Sequence, residues 1–446
     1  MKKLLVILFA LGLVFSFTAP VMATDVSFDG TYRIRGFYDS NSALEENACP
    51  SAYYDQRFRL GTVFQVAEGL KVTTRFDAMD GTWGDGTLRG NPTNNIQFDK
   101  VYMTFVTPVG QIEAGVFSDG VWGTGFGDAE TFSAKIQLKA PVGNWVFVLN
   151  TVKADEADKN TGVVTNPTNQ NSDFDDDKYR AAVIYHDEGI QVGLLYNHYR
   201  YENYLNTMAG LDPAYAGFAA FYKDVTANAL VPYVKLTMGD LYIESEFQWI
   251  DGAVNSRTPG VRDLDLEGLS LYLKGQYNLG SSYVGGLFAY VKGDDPNTAN
   301  TSENALGMSN SGADWDPMLI LFSDTCTTSL GSWGAPSTAL ASFGDRSMTG
   351  TSMNNGSIYQ VFAGTAIDKL ALKASLSMAK ADEVVAGWDD SYGTEFDVTA
   401  AYKIYDNLTY SAGFGYLWAG DYCKAGVAAN KIDDTYLLMN KLQVAF

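Results

Sequence analysis

Apolar and polar residues alternate along most of this chain, and the alternation breaks at regular intervals. From Val26 to Tyr38, Val26, Phe28, Tyr32 and Ile34 fall on one face, and Ser27, Asp29, Thr31, Arg33 and Arg35 on the other. From Tyr53 to Val66, Phe58, Leu60, Phe64 and Val66 oppose Asp55, Arg57, Arg59 and Gln65. From Leu70 to Met79, Leu70, Val72 and Phe76 oppose Lys71, Arg75 and Asp77. A period of two marks a strand with one apolar and one polar face. The stretch Tyr436 to Phe446 repeats it: Tyr436, Leu438, Asn440, Leu442, Val444 and Phe446 against the more polar set Leu437, Met439, Lys441, Gln443 and Ala445.

The interruptions come in two lengths. Tight-turn signals stand at 67–69, 108–110, 141–143, 187–189, 238–240, 279–281, 367–369 and 405–407, rich in Gly, Pro, Asp and Asn, residues that set the backbone for reversal. Longer segments rich in Asp, Asn, Gly, Ser and Thr separate them, the longest near 154–176, 203–227, 251–263 and 293–355. Short turns at one end and long loops at the other are the asymmetry of a bacterial outer-membrane barrel. A sandwich or a propeller would not sort its loops this way. The expectation is an all-β fold: a transmembrane antiparallel up-and-down β-barrel of about 18 strands. Sixteen is the alternative, because 96–106 and 228–237 alternate poorly. An even count puts both termini at the periplasmic end. It also lets Tyr436–Phe446 pair with Val26–Tyr38 and close the ring.

Residues 1–23 read as a secretory signal peptide: Lys2 and Lys3, an apolar run from Leu4 to Phe17, then Val21-Met22-Ala23 with a cut expected after Ala23. Residues 24–446 are expected to form the barrel. No later run is apolar enough to span a membrane as a helix, although hydrophobic residues make up 46% of the chain; dispersed apolarity is how a barrel wall reads. The net charge of −21 disfavours nucleic acid as a partner. Cys49, Cys326 and Cys423 are all expected in extracellular loops, and none belongs to a CxxC pair. One disulfide and one leftover thiol would use them, with three pairings open.

Catalysis has little foothold. His186 and His198, the only two histidines, are expected toward opposite ends of neighbouring strands, with no nucleophile beside them. Asp173, Asp175 and Asp177 open like a calcium loop, but Lys178 stands where glycine is needed and Ile184 where Glu is needed. No metal and no cofactor are implied.

The sharpest constellation is basic. Arg33, Arg35, Arg57, Arg59, Lys71 and Arg75 share the polar face of the first three strands, with Lys100 nearby. Antiparallel pairing should bring Arg33 and Arg35 to the height of Arg57 and Arg59. Two readings stay open: guanidiniums that line a lumen and select solutes by charge, or side chains braced by Asp29, Asp55 and Asp77. Glu244, Glu246, Glu395 and Asp397 lie on far-side strands, which implies a transverse field between an acidic and a basic wall. The third long connection, Ser118 to Thr131, carries Asp119, Asp128, Glu130 and the run Trp122-Gly-Thr-Gly-Phe-Gly. It reads as a constriction loop or a surface loop. The apolar patch Met318 to Phe322 folds into the lumen or packs over the mouth. Tyr199, Tyr242 and Tyr272 face inward, while most other aromatics sit on the lipid-facing register.

Tyr436, Leu442, Val444 and Phe446 resemble the C-terminal assembly signal of outer-membrane barrels, which implies the barrel-assembly machinery as a partner. The basic wall, acidic wall and third loop together resemble general bacterial porins. The loop departs from that family because it is short and lacks a Pro-Glu-Phe-Gly-Gly run. A basic lining with long loops is also similar to porins of the alginate-export kind. The resemblance covers architecture and implies an outer-membrane porin: a water-filled channel for passive diffusion of small hydrophilic solutes or ions. It further implies contact with outer-membrane lipid and lipopolysaccharide, and leaves a homotrimer open. The alternative is a non-conducting barrel that serves as an adhesin or envelope anchor through its loops.

Overall fold

In the computed structural model the described residues are 25–84, 96–157, 175–205, 220–309, 311–323 and 353–446. The segment 1–23, its cut after Ala23, and Cys326 lie outside them. The strands in chain order are β1 (Asp25–Asp39), β2 (Ser51–Ala67), β3 (Leu70–Thr82), β4 (Ile96–Thr107), β5 (Gly110–Gly120), β6 (Ala129–Val142), β7 (Trp145–Asp155), β8 (Asp176–Asp187), β9 (Ile190–Tyr201), β10 (Tyr222–Met238), β11 (Leu241–Ser256) and β12 (Leu264–Leu279). They continue as β13 (Ser282–Val291), β14 (Thr301–Ser302), β15 (Gly356–Ile367), β16 (Leu370–Lys380), β17 (Ser391–Tyr405), β18 (Leu408–Ala419) and β19 (Thr435–Ala445). All but the two-residue β14 are wall strands, so the barrel has eighteen.

Each wall strand pairs antiparallel with the one before it, and β19 pairs antiparallel with β1, from Thr31↔Ala445 to Asp39↔Leu437. The ring is closed and leaves no wall edge unpaired. The seam carries one further reciprocal pair: Gly30 N–H donates to the Phe446 carbonyl at 2.8 Å, and Phe446 N–H to the Gly30 carbonyl at 3.0 Å. The predicted pairing of the C-terminal stretch with the first strand is therefore observed. All eight tight-turn signals separate consecutive strands by two residues. The long connections gather at the opposite end.

Alternation explains the wall. Val101, Met103, Ile136, Leu149, Leu194, Val361, Leu376 and Leu442 point outward and are exposed. So contiguous an apolar surface is foreign to a soluble monomer. The two poorly alternating segments are both strands, and each irregularity has a cause. In β4 the register with β3 steps from Arg75↔Lys100 to Phe76↔Phe98, a bulge at Asp99. Ile96 and Phe98 face outward before it, Val101 and Met103 after it. The bulge inverts the phase and aims the adjacent Asp99 and Lys100 into the lumen. In β10 burial alternates straight through, but the lumenal positions Val225, Ala227, Ala229, Val231 and Tyr233 are apolar and buried, so both faces read as apolar; pairing with β11 lapses at Val231 and Pro232, where Pro232 brings no N–H.

The buried apolar residues sit inside the ring, where inward-folded connections meet the wall. One cluster joins Phe126, Tyr272, Met318, Ile320, Leu321, Phe322, Tyr392, Leu417 and Leu437. A second joins Tyr199, Val225, Ile250, Leu264 and Leu306. Among the described residues, no helix is long and apolar enough to cross a membrane.

Candidate functional site: a charged lumen crossed by two inward loops

The predicted basic wall forms as one lumenal face. Arg33 partners Arg57 of β2 and Gln443 of β19; Arg35 partners Asp55 and Lys441; Arg59 partners Asp77; Arg75 partners Lys100. Directly opposed residues share a face, so Lys441 joins the wall, a member that the sequence reading missed. Its inward position was legible in the alternation of β19, but its neighbours were not.

Most of these guanidiniums are engaged. Arg35 holds Asp55 in a fork, with Nε to Oδ1 at 3.0 Å and Nη2 to Oδ2 at 2.6 Å. Arg59 binds Asp77 at 2.7 Å and Glu130 at 3.0 Å. Arg75 binds Asp99 at 3.0 Å and Glu130 at 2.5 Å. Arg57 reaches a carboxylate only at 3.7 Å, on Asp77. Among the described residues, Arg33 makes no ion pair, and its Nε is buried without a partner. Lys71 stands nearer the turn, opposite Gln65 and Thr104, away from this cluster.

Residues 121–128 between β5 and β6 fold inward. The Trp122 indole N–H donates to the Val231 carbonyl at 3.0 Å, at the lapse beside Pro232, and its ring meets Tyr233 edge-on. The Thr124 amide and hydroxyl both donate to Glu246 Oε2, at 2.7 and 2.9 Å. Gly123, at φ +61°, and Gly127 wrap the same carboxylate so closely that a β-carbon at either would overlap it. This is why the run is glycine-rich. Phe126 stacks on Tyr272 at 5.2 Å and meets Trp315 edge-on at 5.1 Å. At the other end, the Glu130 amide donates to Asp314 while its carboxylate bridges Arg59 and Arg75. Glu246 on β11 and Arg75 on β3 are eight strands apart in the ring of eighteen. The loop therefore extends across the lumen.

The three acidic residues of this connection part ways. Glu130 meets the basic wall. Asp119 lies at the foot of the loop, bound to Arg180 at 2.5 Å, Lys178 at 3.1 Å and Lys135 at 3.6 Å. Asp128 is exposed; desolvation by its surroundings, then the Asp314 carboxylate, push its pKa above the usual carboxylate range.

A second inward segment, 311–323, brings the patch Met318–Phe322 into the lumen. Glu395 is wholly buried. Its carboxylate accepts three consecutive backbone N–H groups, from Leu319 at 2.9 Å, Ile320 at 2.7 Å and Leu321 at 2.8 Å. Gln360 Nε2 donates to the Pro317 carbonyl at 2.7 Å. Ser311 Oγ donates to Gln248 Oε1 at 3.0 Å. The two segments also meet, through Gly312 N–H to the Phe126 carbonyl at 2.6 Å.

The expected acidic wall does not form as one far side: Glu244 and Glu246 on β11 lie across the ring from the arginines, but Glu395 and Asp397 on β17 lie two strands from β19, and all four are differently employed. Glu246 and Glu395 hold loop backbone. Glu244 accepts the Tyr242 and Tyr272 hydroxyls, each at 2.8 Å, and lies 3.5 Å from Lys274. Asp397 accepts from Ser375 at 3.4 Å. Amide groups of a loop inside a barrel have no ladder partner, and carboxylates are the strongest acceptors in reach. Tyr199 and Tyr272 do face inward, but Tyr272 is taken up by its stack on Phe126 rather than open to a solute.

The remaining candidates scatter. His186 and His198 stand toward opposite ends of β8 and β9, partnering Gln191 and Tyr179. Lys153 binds Asp175 and Asp177 at 2.7 and 2.8 Å. Among the described residues, no group of three or more metal-ligating side chains is assembled. Cys49 is exposed in the β1–β2 connection, and Cys423 is buried in a 3-10 turn between β18 and β19.

No family model matches the sequence, and no curated protein does. Solved structures do match. The chain is similar to a BenF-like porin from Pseudomonas fluorescens Pf-5, with a TM-score of 0.51 and 11% identity over 95% of this chain and 99% of that one. The fold is that of an outer-membrane porin barrel. Pseudomonas aeruginosa OccK1 (OpdK) is similar at a TM-score of 0.50 and 12% identity, over 94% of this chain and 99% of that one. OccK3 (OpdO) of the same species is similar at 0.50 and 11%, over 94% and 96%. The likeness to these porins is one of fold, across nearly the whole of each chain.

Proposed function

We propose that this protein is an outer-membrane porin through which small hydrophilic solutes or ions diffuse passively, and that it favours anions at its narrowest point. The observation that carries the reading is the lumenal pair Arg33 and Arg57, side by side on β1 and β2 with Lys441 across the seam. Cations packed this closely, with only the long Arg57–Asp77 pair at 3.7 Å beside them, raise the local concentration of anions in a narrow polar passage. Arg35, Arg59, Arg75 and their carboxylates brace the same wall, so both roles foreseen for the ladder coexist. The outward apolar face supports a lipid-facing wall, in contact with lipopolysaccharide at the long-loop end. Tyr436, Leu442, Val444 and Phe446 serve barrel assembly, after export on the 1–23 signal and its removal behind Ala23. The test is single-channel recording of the purified protein in planar lipid, followed by reversal potentials in a salt gradient. Steady openings with an anion-favouring reversal potential are expected.

A second reading has one observation in its favour. The segments 121–128 and 311–323 both enter the lumen and touch each other. A barrel filled this way suits an envelope anchor or adhesin. Silence across many insertions would favour it over the channel.

A further inference from the structure

One rung of the barrel is polar across six consecutive strands. Thr104, Glu113, Gln137, Asn150, Arg180 and Asn197 are successive register partners from β4 to β9. The Thr104 hydroxyl has no protein partner, and hydrogen bonds join the next three members. Lys139 Nζ and Gln137 Nε2 reach the Glu113 carboxylate at 3.0 and 2.8 Å, and Asn150 Nδ2 donates to Gln137 Oε1 at 3.2 Å. Then the bonding stops. Asn150 Oδ1, Arg180 Nε and Asn197 Oδ1 are buried with no protein partner, on three adjacent strands in one row. The side chain of Arg180 is only 9% exposed, and Asn197 is 4% exposed. Buried polar atoms left this way are costly unless something fills the space beside them.

The space exists. All three residues line a cavity of about 340 Å³ between this wall and the constriction loop. That lies in the range of pockets that take small organic ligands. Its charged groups are already engaged: Arg180, Lys178 and Lys135 share Asp119, Lys139 meets Glu113, Lys100 lies over the Phe132 ring, and Glu246 holds Thr124. What stays open is two amide oxygens that need donors and one guanidinium N–H that needs an acceptor. A carboxylate can only accept, so it would satisfy Arg180 and face two oxygens. Hydroxyl groups do both. Trp122 and Tyr199 bring aromatic rings to the same lining, a residue type suited to the C–H face of a sugar ring.

We infer that this cavity is a binding subsite for an uncharged polyhydroxylated solute of monosaccharide size, held by Asn150, Arg180 and Asn197. It rests on the channel reading only in that the solute arrives through the lumen. It is separate from the Arg33–Arg57 strip.

The test is isothermal titration calorimetry of the folded full-length barrel in detergent, with galactose and galacturonate as probes, so no conduction is needed. Galactose should bind saturably at one site. Asn197→Leu and, independently, the milder Asn150→Ala should each weaken it at least about tenfold, while Arg33→Gln leaves it unchanged. Near-ultraviolet circular dichroism checks that each variant is folded. Absence of saturable galactose binding overturns the subsite. So does binding indifferent to both variants, or tighter galacturonate binding that Asn197→Leu abolishes. Conductance in salt alone reports on the channel separately: a silent barrel that binds galactose keeps the subsite and loses the channel.

Discussion

The near wall, β1 to β3 with β19, and the acidic strands, β11 across the ring and β17 only two strands from β19, carry charge into the lumen, yet they meet different fates. The near wall is cationic, and Arg33 and Arg57 keep their guanidiniums largely available. The acidic strands are anionic, and Glu246 Oε2 and both oxygens of Glu395 are taken up by donors of the inward loops. The asymmetry follows from donor and acceptor chemistry. A loop that enters a barrel brings N–H groups that need acceptors. A carboxylate offers up to four lone-pair sites, whereas a guanidinium offers none. Folding loops into a lumen therefore consumes acidic residues first and leaves basic ones to face solutes. Charge on an inward register position describes the pore only after the loops have taken their share.

The strongest way to break this contrast is Glu395→Ala, which strips three amides of their acceptor. Hydrogen bonds to charged groups contribute about 1.5–3 kcal/mol each, but water reaching a lumenal loop offsets part of that loss. A net local destabilisation of about 3 kcal/mol is expected. It should appear as lost exchange protection at the Leu319, Ile320 and Leu321 amides, together with a larger unitary conductance. Unchanged protection would mean that the apolar burial of Met318–Phe322 alone holds the segment.

Next comes Gly127→Val, which forces a side chain into the Glu246 carboxylate. A steric insertion of this kind costs about 1–3 kcal/mol. The constriction loop should lift from Val231 and Thr124 from Glu246, widening the passage. Retained conductance would show that the loop does not set the narrowest point.

A charge test sharpens the contrast instead of breaking it. The double variant Arg33→Gln, Arg57→Gln should lower the anion-to-cation permeability ratio about threefold, a change of about 0.7 kcal/mol, read as a shifted reversal potential. Arg59→Gln alone should shift it less, because that charge is already matched by Asp77 and Glu130. Equal shifts would refute the distinction between available and braced arginines.

The smallest effect lies at the mouth, away from both walls. Burial first, and then the neighbouring Glu303 carboxylate, push the Asp294 carboxyl up to about 7, against an ordinary value of about 4. Its folded form holds a proton that the unfolded form has released, so this contribution to stability is fully present below about pH 4. It falls as pH rises and is gone above about pH 7. The Glu303 amide, which donates to Asp294 at 2.8 Å, should show a higher protection factor at pH 5 than at pH 8. An unchanged factor would mean that the mouth does not sense this proton.

Much of the fold was legible because period-two alternation and turn chemistry are local. Each tight turn could be read from three residues, and the partner of β19 followed from an even strand count. The uncertainty between 16 and 18 strands had physical causes. The Asp99 bulge swaps the two faces of β4 halfway along, and the lumenal face of β10 is itself apolar, from Val225 to Tyr233, so both strands look irregular to any test of alternation. The candidate site was legible only in part. The arginine ladder and the inward third loop could be foreseen; the occupation of Glu246 and Glu395 could not, because it depends on which distant backbone arrives. The rung from Thr104 to Asn197 was invisible for a related reason. Six residues on six strands form a row only once the register of every pair is set.

The seam between β1 and β19 constrains the path by which this protein reaches its native state. Thr31 and Ala445, partners in the wall, lie at the two extremes of the described sequence, so their contact has nearly the highest sequence separation available. Contacts of that kind form late and slowly, because a long chain segment must be ordered first. Until they form, the growing sheet has two unsatisfied edges, each a template for pairing with another chain. A delayed seam would therefore show itself as aggregation of unclosed sheets rather than as a leaky barrel. Cells that make this protein have to keep its two edge strands apart from strangers until they find each other.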